Sequence, residues 1–263
     1  MTNLIAVKSN WLIEASYRMT LQEQRFILSC IGKLDPKKPV PKTMMLTAQE
    51  LAANFPDIGK GNAERVLREA VDKLWERSVI VSDPEQTEEF RWIDKRIRYH
   101  KGEARVMVRF SEDITKYLSQ MSEQFTKVAL KNVSGLRSAY SIRIYELCQQ
   151  FIKTKVREIS VEDFRELLLL EDLYPEFKIL NRDVIQPSIK ELNAKSNLDI
   201  EVEKVKTGRC ITGLRFTFRE KDQMQLDLGD EPKRKKQKSF DKMADKNTKN
   251  LVAKYGNKPR KKA

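Results

Sequence analysis

The stretch "FKILNRDVIQPSIKELNAKSNLDIEVEKVKTGRCITGLRFTF", residues 177–218, changes its period halfway along. In the first half Phe177, Leu180, Val184, Ile189 and Leu192 mark the buried side of a helix, and Lys178, Asn181, Arg182 and Gln186 lie on the other side. Pro187 sits inside this pattern. It lacks an amide donor and crowds the preceding turn, so a kink is expected near Gln186. From residue 198 the pattern alternates around the turn "KTGR", which predicts a hairpin over 198–218 with Lys204, Lys206 and Arg209 at its tip. A helix with a partly basic outer face runs straight into a basic-tipped hairpin, and the rest of the chain supplies the reason.

Two helices precede this unit. "SGLRSAYSIRIYELCQQFIK" (134–153) places Leu136, Tyr140, Ile144, Leu147, Cys148 and Phe151 on one face. The short "REIS" then leads into "VEDFRELLLL" (161–170), with Ser160 and Asp163 spaced as a helix cap. The same order occurs earlier. "MTLQEQRFILSCIGKL" (19–34) is an apolar helix, and "LTAQELAANF" (46–55) opens on Thr47 and Glu50, the spacing of a capping box. "GNAERVLREAVDKLWERS" (61–78) has Asn62 as its expected N-cap. Val66, Leu67, Ala70, Val71, Leu74 and Trp75 form its apolar face, and Arg65, Arg68, Glu69, Asp72 and Lys73 its outer face. Strand-like "VIVSD" and "FRWIDKRIRYHKGEARVMVRF" close the block, with "HKGE" as a turn.

Three helices followed by a β-hairpin is the layout of a winged helix. The third helix fits a DNA major groove, roughly 12 Å wide, while the hairpin tip reaches the neighbouring backbone. One half can therefore read base edges while the other holds phosphates. The expected fold is α+β: two tandem winged-helix domains over 1–130 and 131–222, then a disordered basic tail over 223–263.

Charge agrees with this reading. The 263 residues carry 51 Lys+Arg against 38 Asp+Glu, a net charge of +13, which suggests an anionic partner. Nine of those net charges lie in residues 230–263, which have few apolar residues and no lasting period. That segment reads as a non-specific polyanion tether or as a solubilising appendage. The anionic partner is nucleic acid or a membrane surface. No run of 18 apolar residues and no signal-peptide core is present, so neither a spanning helix nor export is expected, and the expected partner is DNA, with no membrane. Cys30, Cys148 and Cys210 have neither disulfide nor zinc spacing and read as buried structural thiols in a reducing cytoplasm. His100 is the only histidine, which removes the catalytic and metal schemes that need two. No phosphate-cradling G-x-x-x-x-G-K-[ST] loop occurs; the 38 acids always offer pairs for a two-carboxylate metal site, but nothing in their spacing singles one out, so no cofactor, metal or catalytic residue is named.

"AVKSNWLIEASYRMTLQEQRFILSCIGKL" (6–34), "AERVLREAVDKLWERSVIV" (63–81) and "FKILNRDVIQPSIKELNAKSNLDIEVEKVKTGR" (177–209) resemble the initiator replication proteins of theta-replicating, iteron-bearing bacterial plasmids. The resemblance runs in order over about residues 5–220. It implies two winged-helix domains whose monomers bind directly repeated iterons in double-stranded DNA, help melt the adjacent AT-rich origin and recruit host replication proteins such as helicase and initiator. It also implies homodimers, formed through the N-terminal domain, that repress the protein's own promoter at an operator. By element, it assigns base reading to Lys178, Asn181 and Arg182, and in the first block to Arg65 and Arg68. Within "LQEQRFILSCIGKL" (21–34), Leu21, Ile27, Leu28 and Ile31 are expected to leave some apolar surface for the dimer.

Between core and tail, "QMQLDLGD" (223–230) puts Gln223, Leu226 and Leu228 in a Q-x-x-L-x-L pattern. It resembles the peptide by which many bacterial proteins dock the replicative sliding clamp. The alternative is a plain linker. A transcriptional repressor without a replication role is the competing reading of the whole chain, and tandem repeats beside an AT-rich stretch near its gene would decide between them.

Overall fold

The computed structural model describes residues 4–82, 85–99, 104–118, 124–170 and 172–221. Polar caps set where its helices begin. In the first unit β1 (Ile5–Ser9) passes into α1 (Asn10–Glu14), where the Ser9 hydroxyl accepts from the Leu12 amide. A capping box between Thr20 and Glu23 starts α2 (Leu21–Ile31). β2 (Met44–Thr47) enters α3 (Ala48–Asn54) through the expected Thr47–Glu50 box.

The third helix of this unit, α4 (Lys60–Leu74), starts earlier than its sequence suggested. Gly59, at φ +72°, carries the chain into the helix, so Asn62 lies in the first turn, where its amide donates to the Gly59 carbonyl. It is not the N-cap. Two antiparallel pairs follow, β3 (Ser78–Ser82) with β4 (Thr87–Arg91) and β5 (Ile93–Arg98) with β6 (Arg105–Phe110). β2 joins the second pair to give the order β2–β6–β5. The expected "HKGE" turn, with His100, lies outside the described residues. After α5 (Glu112–Thr115), β7 (Phe125–Ala129) returns to pair with β1, Ile5 opposite Ala129.

The second unit follows the expected order more closely. α6 (Leu130–Val133) and α7 (Ala139–Gln150) precede β8 (Val156–Ser160), and the Ser160 hydroxyl caps α8 (Val161–Leu168) by accepting from the Asp163 amide. The third helix runs from α9 (Phe177–Leu180) through a π-helical turn (Asn181–Ile185) into α10 (Gln186–Lys195). In that turn the Gln186 amide bonds back five residues, to the Asn181 carbonyl. The π turn falls directly before Pro187, so the interruption that proline demands appears as a widened turn. The wing is β9 (Leu198–Thr207) with β10 (Cys210–Glu220), and β8 completes the order β8–β10–β9.

One buried apolar cluster runs through both units, from Ala6, Leu12 and Phe26 to Tyr145, Leu192 and Phe218. Ile27, Leu28 and Ile31 are each 1% exposed within it. They are consumed by the chain's own core and cannot supply a dimer surface, which corrects the expectation. Leu21 is half-buried against the same cluster. Cys30 and Cys148 are buried as expected, and burial pushes both thiols up to about 12. Cys210 departs from the expectation: it opens β10 beside the wing turn, where nothing covers it.

Polar side chains also join distant parts of the chain. Lys8, Tyr17, Arg143 and Glu146 form a buried network, with Lys8 Nζ donating to Glu146 at 2.6 Å and Arg143 to the Tyr17 hydroxyl at 2.5 Å. Arg157 on β8 makes a two-pronged pair with Glu14 on α1 at 2.7 and 2.8 Å. Both pairs join residues more than 130 positions apart, tying β1 to α7 and α1 to β8.

Candidate nucleic-acid interface

Apolar anchoring on one side leaves the other side of the α9–α10 helix to solvent. Leu180, Val184, Ile185, Ile189 and Leu192 are buried. Lys178, Arg182, Gln186 and Lys190 are exposed, and Asn181 is half-buried with its side-chain oxygen accepting from the Gln186 amide group at 3.3 Å. Glu191 fastens this helix to α7. Its carboxylate accepts from the Arg137 and Ser138 amides and, at 2.7 Å, from the Ser141 hydroxyl, so it serves as a cap for α7 from outside.

Arg182 does not stand free. Its guanidinium donates to both oxygens of Asp183, at 2.6 and 2.9 Å. The hydrogen bond from Arg182 holds the Asp183 carboxyl below its usual range. Both side chains are open to water, so the pair is readily exchanged for another acceptor. Lys178, Lys190, Lys204, Lys206 and Arg209 form no ion pair among the described residues.

The wing is two-faced because a strand alternates its side chains. Lys204 and Lys206 share one face of β9, and Lys204 Nζ lies 5.7 Å from the ring centre of Phe177, the first residue of the helix. Glu201, Glu203 and Val205 take the opposite face. Gly208, at φ +63°, makes the two-residue turn that exposes Arg209, and the Thr207 and Thr212 hydroxyls meet at 3.0 Å behind it. The structure thus brings Lys178, Arg182, Lys204 and Lys206 into one helix-and-wing unit.

In the first unit the outer face of α4 is electrically balanced. Arg65 pairs with Glu69 at 2.8 Å and remains exposed. Arg68 pairs with Glu64 and donates at 2.7 Å to the Tyr99 carbonyl, which draws it in against the sheet. Asp72 is held by Arg96 and Arg98. Gln223, Leu226 and Leu228 lie outside the described residues. Lys190, Asp183 and Glu191 are site features that the sequence reading passed over. Lys190 continues the four-residue spacing of 178, 182 and 186, and that spacing could have found it.

Three helices, a short strand and a two-stranded wing define each unit as a winged helix. Residues 5–149 match the model of the WH1 domain of the initiator replication proteins, and residues 160–218 match the WH2 domain of the initiator Rep proteins. The chain belongs to this family of replication initiators. It is 34% identical over 238 residues to a replication initiation protein of Escherichia coli, covering 86% of this chain and 73% of that one. It is 30% identical over 140 residues to the PI protein of Escherichia coli, 46% of each chain. Among solved structures, the Pi initiator protein in complex with iteron DNA superposes with a TM-score of 0.72 at 22% identity, over 84% of this chain and 99% of that one. At that identity the likeness is one of fold. The WH1 match extends to residue 149, so it includes α7, which the expected division at 130 gave to the second unit.

Proposed function

We propose that this chain initiates plasmid replication by binding directly repeated iterons in duplex DNA. The observation that carries this is the second unit: an exposed helix face bearing Lys178, Arg182, Gln186 and Lys190 stands beside a wing whose Lys204, Lys206 and Arg209 form no ion pair among the described residues. The helix enters the major groove and the wing holds the adjacent phosphates. Arg182 exchanges Asp183 for a guanine edge, and Asn181 is the candidate adenine reader. The Pi–iteron complex, similar in fold, supports that ligand class.

The first unit makes the weaker contact. Arg65 faces outward, whereas Arg68 is already spent on Glu64 and Tyr99, so residues 1–130 act mainly in positioning and homodimerisation. Residues 131–222 are the main iteron reader. Origin opening, recruitment of host helicase and initiator proteins, repression of its own promoter, and work in the cytoplasm complete the reading. So does docking of Gln223, Leu226 and Leu228 on the host sliding clamp. No enzymatic step is part of this reading.

Supplying the gene in trans to a plasmid that carries only the flanking repeats tests the reading. Maintenance of that plasmid supports initiation. Repression of the adjacent promoter without maintenance would leave a repressor only.

A further inference from the structure

A groove of about 620 Å³ lies between the two units. Trp11, Ile80 and Val81 line it from the first unit, and Ile159, Leu167 and Val205 from the second. Three carboxylates stand along the second-unit wall: Glu158, Asp163 and Glu166. Glu158 is paired with Arg215, but Asp163 and Glu166 form no ion pair among the described residues. Arg157, 6% exposed, lines the same wall. Its two terminal nitrogens are satisfied by Glu14 and Gln150, while its Nε has no acceptor. Two strand edges border the groove. β8 is the outer strand of its sheet, and β3, beyond its pairing with β4, is met only by the Ser16–Ile80 bridge. Strand edges want backbone partners, and the carboxylates want cations. A basic peptide in extended form supplies both.

The chain itself carries such a peptide within reach. Lys221 ends the described residues, and 42 residues follow it. β10 forms part of the groove wall at Thr212 and Gly213, eight positions before Lys221, or about 26 Å at about 3.3 Å per residue. The wall at Arg157, opposite Phe216 in register, is nearer, five positions before Lys221 or about 17 Å, so a returning chain reaches the wall from about residue 226 onward. The first basic run beyond that point is "KRKKQK", Lys233–Lys238, with five cations in six residues.

We propose that Lys233–Lys238 fold back into the groove between the units of the same chain, the cations against Glu158, Asp163 and Glu166, and the backbone beside β8. Duplex DNA, with one charge per about 1.7 Å, competes for the same cations. That last clause rests on the DNA-binding reading. The docking itself does not, and it is tested without DNA.

The test is zero-length carbodiimide coupling of the full-length protein at low ionic strength, with the joined peptides identified by mass spectrometry. The proposal expects intramolecular amides from Lys233, Lys235, Lys236 or Lys238 to Asp163 or Glu166, with a yield independent of protein concentration. Asp163→Asn with Glu166→Gln should abolish them and leave tail couplings elsewhere unchanged. Those two side chains are exposed or half-exposed, so both variants keep the fold, which circular dichroism verifies. Couplings spread over all surface carboxylates, or found only between copies in a mixture of isotope-labelled and unlabelled protein, would overturn the proposal. If docking holds but added duplex fails to reduce the couplings, only the competition clause falls.

Discussion

Glu146 on α7 accepts a 2.6 Å hydrogen bond from Lys8 on β1, across 138 positions of sequence, and both side chains are buried. Arg143 approaches the same carboxylate at 3.0 Å and also donates to the Ile13 and Ala15 carbonyls. Two cations and one anion are therefore enclosed between β1 and α7, with the Tyr17 hydroxyl bridging them. A buried network of this kind adds little net stability, but removing one member leaves a charge uncompensated. Glu146→Leu should therefore cost about 3–5 kcal/mol in denaturant unfolding. Tyr17→Phe, which removes only a hydroxyl, should cost about 1–3 kcal/mol. A neutral result for Glu146→Leu would mean that water enters the seam.

Acid should loosen the same structure. Burial alone pushes the Glu146 carboxyl up, but Lys8 and Arg143 outweigh it and hold the group below its usual value of 4.5. Glu191 is held low in the same way, by Lys195, Ser141 and the Arg137 amide against its own burial. Between 4.5 and the lower folded values the unfolded chain binds more protons, so stability is complete above about pH 4.5 and falls as pH drops through that window. Glu191→Gln should flatten the acid limb of a plot of melting temperature against pH. An unchanged slope would remove Glu191 from the account.

The wing turn offers a purely conformational test. Gly208 has φ +63° and no atom within 4 Å of where a Cβ would stand. Gly208→Ala then meets no clash and should cost about 1 kcal/mol through backbone strain alone. If the wing holds phosphate as proposed, binding to DNA of any sequence should weaken together with it, as measured by fluorescence anisotropy.

Much of this architecture was legible in advance because it rests on local rules. Ser160 and Thr47 announced helices through cap spacing, and the 177–218 stretch announced its helix and wing through a change of period. What escaped was non-local. β1 and β7 are only five residues each and find each other across more than 110 positions, so no period reveals them. The outer face of α4 offered Arg65 and Arg68 for base reading, yet Arg68 turns inward to a carbonyl 31 positions away. Asp183, adjacent in sequence to Arg182, was in plain view. Its role depends on a side-chain geometry that periodicity does not encode.

That geometry makes its own prediction. If Asp183 competes with DNA for the Arg182 guanidinium, Asp183→Asn should tighten binding to the cognate site and to random duplex, as measured by fluorescence anisotropy at fixed salt. Weaker cognate binding would instead make Asp183 a necessary positioning group.

Lys204, Lys206 and Arg209 should behave as phosphate contacts. Replacing each by Ala should reduce affinity for all duplexes alike and lower the slope of log K against log salt by about one per residue. A change in sequence ranking would place that side chain at a base edge.

Sequence reading by the helix of the second unit is tested by the affinity of the full-length protein and of Arg182→Ala for a duplex of the repeats flanking its gene and for a scrambled duplex, at one salt concentration. The full-length protein should prefer the repeats by about 10³-fold or more. Arg182→Ala should lose about 1–3 kcal/mol on the repeats and almost nothing on the scrambled duplex. Equal affinity for the two duplexes, or an equal loss on both, would contradict sequence reading by that helix.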